Sequence, residues 1–147
     1  MRVNLLLADH ADAVGGKLYI NGGGWNVTGP QPAPSAIAML IEVPWDQTNE
    51  KHAVVLELLD IDGNPVEALG PDGSSASVKV ESVLEVGRPP GVKPGTPLNV
   101  PFSVNFGPIP LEAGSQYVWH LSIDGHSEED WNLAFSTRPI PPQSLAA

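Results

Sequence analysis

Apolar residues recur at every second position in several stretches of this chain, the period at which strand side chains return to one face. In 98–106, Leu98, Val100, Phe102, Val104 and Phe106 fall on one side, and Asn99, Pro101, Ser103 and Asn105 on the other. Proline has no N–H to give a ladder, so Pro101 predicts an edge strand or a bulge there. The alternation returns in 117–124, with Tyr117, Trp119, Leu121 and Ile123 on the apolar side, and in 78–86, with Val78, Val80, Leu84 and Val86. It appears again in 131–135 with Trp131, Leu133 and Phe135. Two runs, AIAMLIEV (36–43) and AVVLELL (53–59), are apolar almost throughout and predict central strands covered on both faces. With 2–8 and 17–28 the pattern predicts about eight strands, the number of a two-sheet sandwich.

Turn chemistry agrees. DIDGNP (60–65) places Asp-Gly between strand-like runs, a hairpin signal that rests on glycine's access to positive φ, and GPDGSS (70–75) and DGHSEED (124–130) are similar. GRPPGVKPGTP (87–97) is a stiff connection, the longest in the chain. In PLEAGSQYVWHL (110–121) a Leu-x-x-Gly turn precedes a tyrosine that enters a strand, as in the tyrosine corner of Greek-key sandwiches. The expected fold is therefore all-β: a single immunoglobulin-like Greek-key sandwich over 1–138, followed by a proline-rich extended tail, 139–147.

Composition narrows the function classes. The 147 residues suit one domain with a sizeable core, and with no cysteine there is no disulfide framework, thiolate metal site or cysteine nucleophile. Seventeen acidic residues against seven basic ones leave a net charge of −10, which opposes binding to nucleic acid or an anionic membrane. The opening MRVNLLLADHAD has one short apolar run broken by Asp9, too short for a signal peptide or membrane span, so synthesis in the cytoplasm without a leader is expected. The NVT sequon at 26–28 is discounted on the same ground.

Candidate chemistry is sparse. GKLYINGGGWNVTGP (16–30) carries three successive glycines, but a phosphate loop needs a helix after them. Here Trp25 to Thr28 read as strand and Gly29-Pro30 ends any helix. Gly22, Gly23 and Gly24 instead predict a bulge, a bend, or close approach of a backbone or ring, from this chain or a neighbouring one. Trp25, or a neighbouring tryptophan, is a candidate to cover them. Asp60, Asp62 and Asn64 resemble the start of a calcium loop, but its twelfth position is Pro71 and not glutamate, so a plain turn is expected. The histidines 10, 52, 120 and 126 lack metal-ligand spacing, and no Gly-x-Ser-x-Gly elbow exists. Asp9, His10 and Asp12 read as a polar loop, and HSEED (126–130) as a solvated one. No enzyme activity, cofactor or metal is expected. Trp45, after a proline at a strand end, reads as a lid over one end of the sandwich or an anchor for a partner.

Three segments, VNLLLAD…GKLYINGGGWNVTGP, IEVPWDQTN and YVWHLSIDG…W, resemble a family of uncharacterised small β-sandwich proteins of actinobacteria and their phages. The resemblance implies an actinobacterial source and favours a virion protein, and it carries no activity or site residue. The expected function is a non-enzymatic structural protein such as a phage capsid decoration (minor capsid) protein, with protein partners and no nucleic acid or membrane. The interface candidates are Gly22, Gly23, Gly24, Trp45, Pro89, Pro90, Pro139, Pro141 and Pro142. The alternative is a cytoplasmic binding module that recognises a protein or small ligand through the loops at one end of the sandwich, with Trp45 and the acidic loop 124–130 as candidates. Self-association fits either.

Overall fold

The computed structural model describes residues 1–142. The chain forms strands β1 (Arg2–Val14), β2 (Lys17–Gly23), β3 (Val27–Thr28), β4 (Ser35–Val43), β5 (Lys51–Asp60), β6 (Glu67–Leu69), β7 (Ser75–Ser77), β8 (Lys79–Glu85), β9 (Leu98–Phe106), β10 (Gln116–Ile123) and β11 (Asn132–Thr137). Short 3-10 turns at Trp45–Gln47 and Glu129–Trp131 are the only helical pieces among the described residues. Without the two- and three-residue strands β3, β6 and β7, eight remain, the number the apolar pattern predicts. The expected strand 17–28 is broken between β2 and β3, where Gly24 has φ +94°.

One sheet has the order β2-β1-β4-β9, a second β3-β11-β10-β5-β8, and β6-β7 is a small ribbon. The two large sheets face each other in a sandwich-like arrangement, because the inward residues of each alternating strand form one apolar cluster. Ile37, Met39 and Ile41 of β4 meet Leu56, Trp119 and Leu121 there. Phe106 stacks on Trp119 with ring centroids 4.8 Å apart, and Tyr117 on Phe135 at 5.7 Å. Trp131 is buried as expected, though it closes a 3-10 turn and does not open a strand.

Pro101 does lie on an edge, since β9 ends its sheet, and the ladder to β4 runs through it in unbroken register. β4 and β5 are both central. The outward side of β5 is only partly covered, however, so its apolar run reflects position in the sheet and not a second layer. The outward side of β4 is covered at Ala36 and Ala38, and by the chain's own N-terminal ribbon, while Leu40 and Glu42 are only partly covered. β1 pairs with β4 over residues 2–8 and then with β2 alone. Gly15 and Gly16, both at positive φ, form the two-residue turn between them. The ribbon leans over β4, where Ala8, Ala11, Ala36 and Ala38 are buried together beneath Leu6 and Leu18. Alanine suits this contact because a larger side chain would hold the ribbon off.

Asn105 of β9 secures the ribbon. Its Oδ1 accepts the Ala11 N–H at 3.1 Å, and its Nδ2 donates to the Ala11 carbonyl at 2.7 Å. The side-chain amide thus supplies the ladder bonds that β4 is too short to make. Asp9, His10 and Asp12 stand on β1 and not in a polar loop, because the Gly-Gly turn lets the strand continue to Val14.

The expected tyrosine contact is present. The Tyr117 hydroxyl accepts the Glu112 N–H at 2.9 Å. Thr137 braces the same arch: its hydroxyl donates to the Glu112 carbonyl at 2.6 Å and accepts the Ser115 N–H at 3.0 Å. Of the tail 139–147, residues 139–142 lie outside any strand or helix, and Pro139 lies against Gly114. Residues 143–147 of that expected tail lie outside the described residues.

Candidate functional site

The interface candidates divide between the two ends of the sandwich. Trp45 closes β4 at one end, and the Arg88-Pro89-Pro90 segment reaches it from the long proline connection. The Arg88 guanidinium lies 4.0 Å from the Trp45 ring centre. It also donates to the Trp45 carbonyl and to the Thr48 hydroxyl, both at 2.7 Å. Trp45 is half-buried, and its cover is a cation, which a net-acidic chain places here by stacking and hydrogen bonding together. Pro89 and Pro90 are exposed beside it.

Next to the 45–47 turn is an ion pair that motif spacing did not reveal, between a buried histidine and a half-exposed carboxylate. His52 is 3% exposed. Its Nδ1 donates to Asp124 Oδ2 at 2.6 Å and its Nε2 donates to the Gln47 carbonyl at 2.7 Å. Asp124 sits at φ +53° and accepts the Ala53 N–H through Oδ1 at 2.9 Å. Burial alone would lower the His52 pKa. The bonds to Asp124 and to the Gln47 carbonyl outweigh that and raise it above 6.5, while the His52 bond holds Asp124 below its ordinary value. A neutral imidazole donates from one nitrogen only, so two acceptors select the charged form. With both nitrogens engaged, His52 offers none to a substrate; it ties the 45–47 turn and the β10–β11 turn to β5. One available sequence signal was phase, since His52 shares the inward face of β5 with Val54, Leu56 and Leu58.

Gly22, Gly23, Gly24 and Pro139 lie toward the opposite end, with Pro141 and Pro142 exposed just beyond. At Gly23 an added Cβ would stand 2.6 Å from Ile20 Cγ2 and 3.0 Å from Leu6 Cδ1, and at Gly22 it would strike the Asp9 carboxylate. The close approach comes from the chain's own side chains. Gly24 is open, and its N–H donates to the Leu7 carbonyl at 2.7 Å. Trp25 does not cover the glycines as expected. It turns inward, edge-on to Phe135 at 6.3 Å, where more apolar contact is available. Shallower surface clefts of about 180–320 Å³ lie elsewhere on the chain. Trp25 itself helps line a partly open pocket of about 30 Å³ with Leu7, Ile109, Leu111 and Phe135. That is room for a water molecule and far below the few hundred Å³ of a typical ligand site.

The other candidate clusters are spent locally. Asp60 Oδ1 accepts the N–H groups of Asp62 and Asn64, each at 2.9 Å, which is the plain turn expected. His126 bonds Glu128 at 2.6 Å and His10 bonds Asp12 at 3.1 Å, both on exposed surface. Among the described residues no three histidine or carboxylate side chains converge to hold a metal. No helix there is long and apolar enough to cross a membrane.

A family model, that of a family of unknown function (DUF6941), matches residues 4–136. The chain belongs to DUF6941. A search of the curated proteins found no match. The family match covers both large sheets, Asn105, the His52–Asp124 pair and the glycine segment, and ends before the 139–147 tail. DUF6941 brings no activity to assign to any of these residues.

Proposed function

We propose that this member of DUF6941 is a non-enzymatic structural protein of a large assembly, a phage capsid decoration (minor capsid) protein, built as an immunoglobulin-like Greek-key sandwich. The strand order supports the fold reading: the connections β4 to β5, β8 to β9 and β9 to β10 each pass from one large sheet to the other. The tyrosine-braced arch supports it as well.

The observation that carries the function is how the polar groups are used. The buried histidine has both nitrogens committed to bracing loops, and the small pocket beside Trp25 has room for a water and no ligand. What the chain presents outward is stiff proline segments, a capped tryptophan and strand edges, the surfaces by which one protein holds another. A net charge of −10 suits a protein on the outside of a particle filled with nucleic acid. On this reading the chain is made in the cytoplasm and resides in the virion.

Density-gradient sedimentation of a native lysate, with the chain followed by mass spectrometry, tests the proposal. Migration with a large particle in fixed ratio is expected, and removal of 139–147 should abolish it while the remaining chain still folds. Recovery only among small soluble species would refute it and favour the binding module, with the Trp45–Arg88 end as its recognition surface.

A further inference from the structure

The four outer edges of the two large sheets are not equally protected. β9 carries Pro101, which cannot donate to an added strand. β8 carries Lys79, Glu81 and Glu85 along seven residues, and β3 is two residues long. β2 has none of these devices. It is seven residues long, has no proline and no acidic residue, and its one charge, Lys17, sits beside the turn. Tyr19 is 55% exposed and Ile20 39%.

The hairpin geometry says which groups are free. Across a two-residue turn the flanking residues Val14 and Lys17 form a hydrogen-bonded pair, and such pairs alternate along the ribbon. Lys17, Tyr19 and Asn21 therefore spend their backbone groups on β1, and Leu18 and Ile20 turn theirs outward. Ala11, opposite Ile20, shows the same alternation, since its groups face away from β2 and are met by Asn105. β1 was given a substitute partner and β2 was not.

We propose that the partner of this edge is β2 of a second copy of the chain, joined antiparallel about a two-fold axis through Tyr19. That register sets Leu18 opposite Ile20 of the second copy, so that about four backbone hydrogen bonds form. Tyr19 meets its symmetry mate at the close, non-hydrogen-bonded position, and Lys17 faces Asn21, so no like charges oppose each other. The pairing ends before Gly22, whose φ of +61° turns the backbone away. β2 is suited to self-pairing by charge as well: two copies at −10 each would bring glutamates together along β8, whereas this strand brings none. The inference does not rest on a virion role, because it concerns the isolated chain in solution.

The chain has no cysteine, so Tyr19→Cys places one thiol on the axis. The expected Cα separation there, about 4.5 Å, falls within the range a disulfide spans. Mild oxidation should crosslink Tyr19→Cys to a dimer, while Val83→Cys, equally exposed on the β8 edge, stays monomeric. In sedimentation equilibrium the parent chain should be dimeric. Ile20→Pro, which removes an outward N–H and no bond to β1, should weaken association about tenfold or more. Tyr19→Lys, which opposes two cations and changes only an exposed side chain, should do the same with the fold intact by circular dichroism. A parent chain monomeric at millimolar concentration would overturn the proposal. So would a dimer that persists in folded Tyr19→Lys, or crosslinking of Tyr19→Cys no faster than of Val83→Cys.

Discussion

Asn105 gives the sharpest test of how the N-terminal ribbon is held. Ala11 is fully buried, and its N–H and carbonyl both depend on this one side-chain amide. A buried backbone group left unpaired costs about 1–3 kcal/mol. Asn105 is itself exposed, so after Asn105→Ala water reaches part of the gap, and the expected loss is about 1–2 kcal/mol for the two bonds together. In a domain of this size that lowers Tm by about 2–8 °C. Asn105→Asp discriminates further. One carboxylate oxygen still accepts the Ala11 N–H, but the other faces the Ala11 carbonyl, so near neutral pH the variant should be less stable than Asn105→Ala by about 1 kcal/mol.

Protonation restores a donor to that position. The native state then binds the proton more tightly than the unfolded chain and the folded pKa is raised. The deficit is present above that pKa and shrinks as pH falls through it. Urea unfolding of the parent and both variants between pH 4 and pH 7 measures all of this. If both variants lie within about 0.5 kcal/mol of the parent, near the spread of an ordinary surface substitution, the amide does not hold the ribbon.

Gly23→Val should destabilise by about 1–3 kcal/mol through overpacking against Ile20 and Leu6, whereas Gly24→Ala, in open space but at φ +94°, should cost about 1–2 kcal/mol through backbone strain; chemical denaturation ranks them, and equal tolerance of valine at 23 would contradict the close approach. The His52 pKa is raised in the folded state, so its stabilisation is complete below about 6.5 and declines as pH rises through the folded value. The parent chain should therefore lose stability above that point by an amount that disappears in His52→Gln, as read from unfolding curves at stepped pH. Tyr117→Phe leaves the Glu112 N–H without its acceptor and should cost about 1 kcal/mol, visible as a lower Tm. Arg88→Met removes the cation over Trp45, so the indole emission should shift and its access to an aqueous quencher should rise; an unchanged spectrum would mean the stacking does not persist in solution.

Much of this architecture was legible from two local signals. Side-chain alternation located β8, β9, β10 and β11 and the inward residues of β9 and β10, because a strand with one buried face must repeat its apolar residues at period two, and near-continuous apolar runs located β4 and β5. Turn chemistry located the plain turn at Asp60 and the arch below Tyr117, because those hydrogen bonds close within a few residues. Pro101 marked an edge for the equally local reason that it lacks a donor. By contrast, the path of β1 beyond Ala8 was misjudged, since DHADAV looks polar until the ribbon's lean over β4 buries Ala11. Asn105 and Ala11 are far apart in sequence, as are His52 and Asp124, and no spacing rule connects them. Which outward faces are covered, which edge stays open, and which histidine is buried against a carboxylate follow from the way the sheets and ribbon pack. Those are decided by contacts between distant segments, and only the tertiary structure contains them.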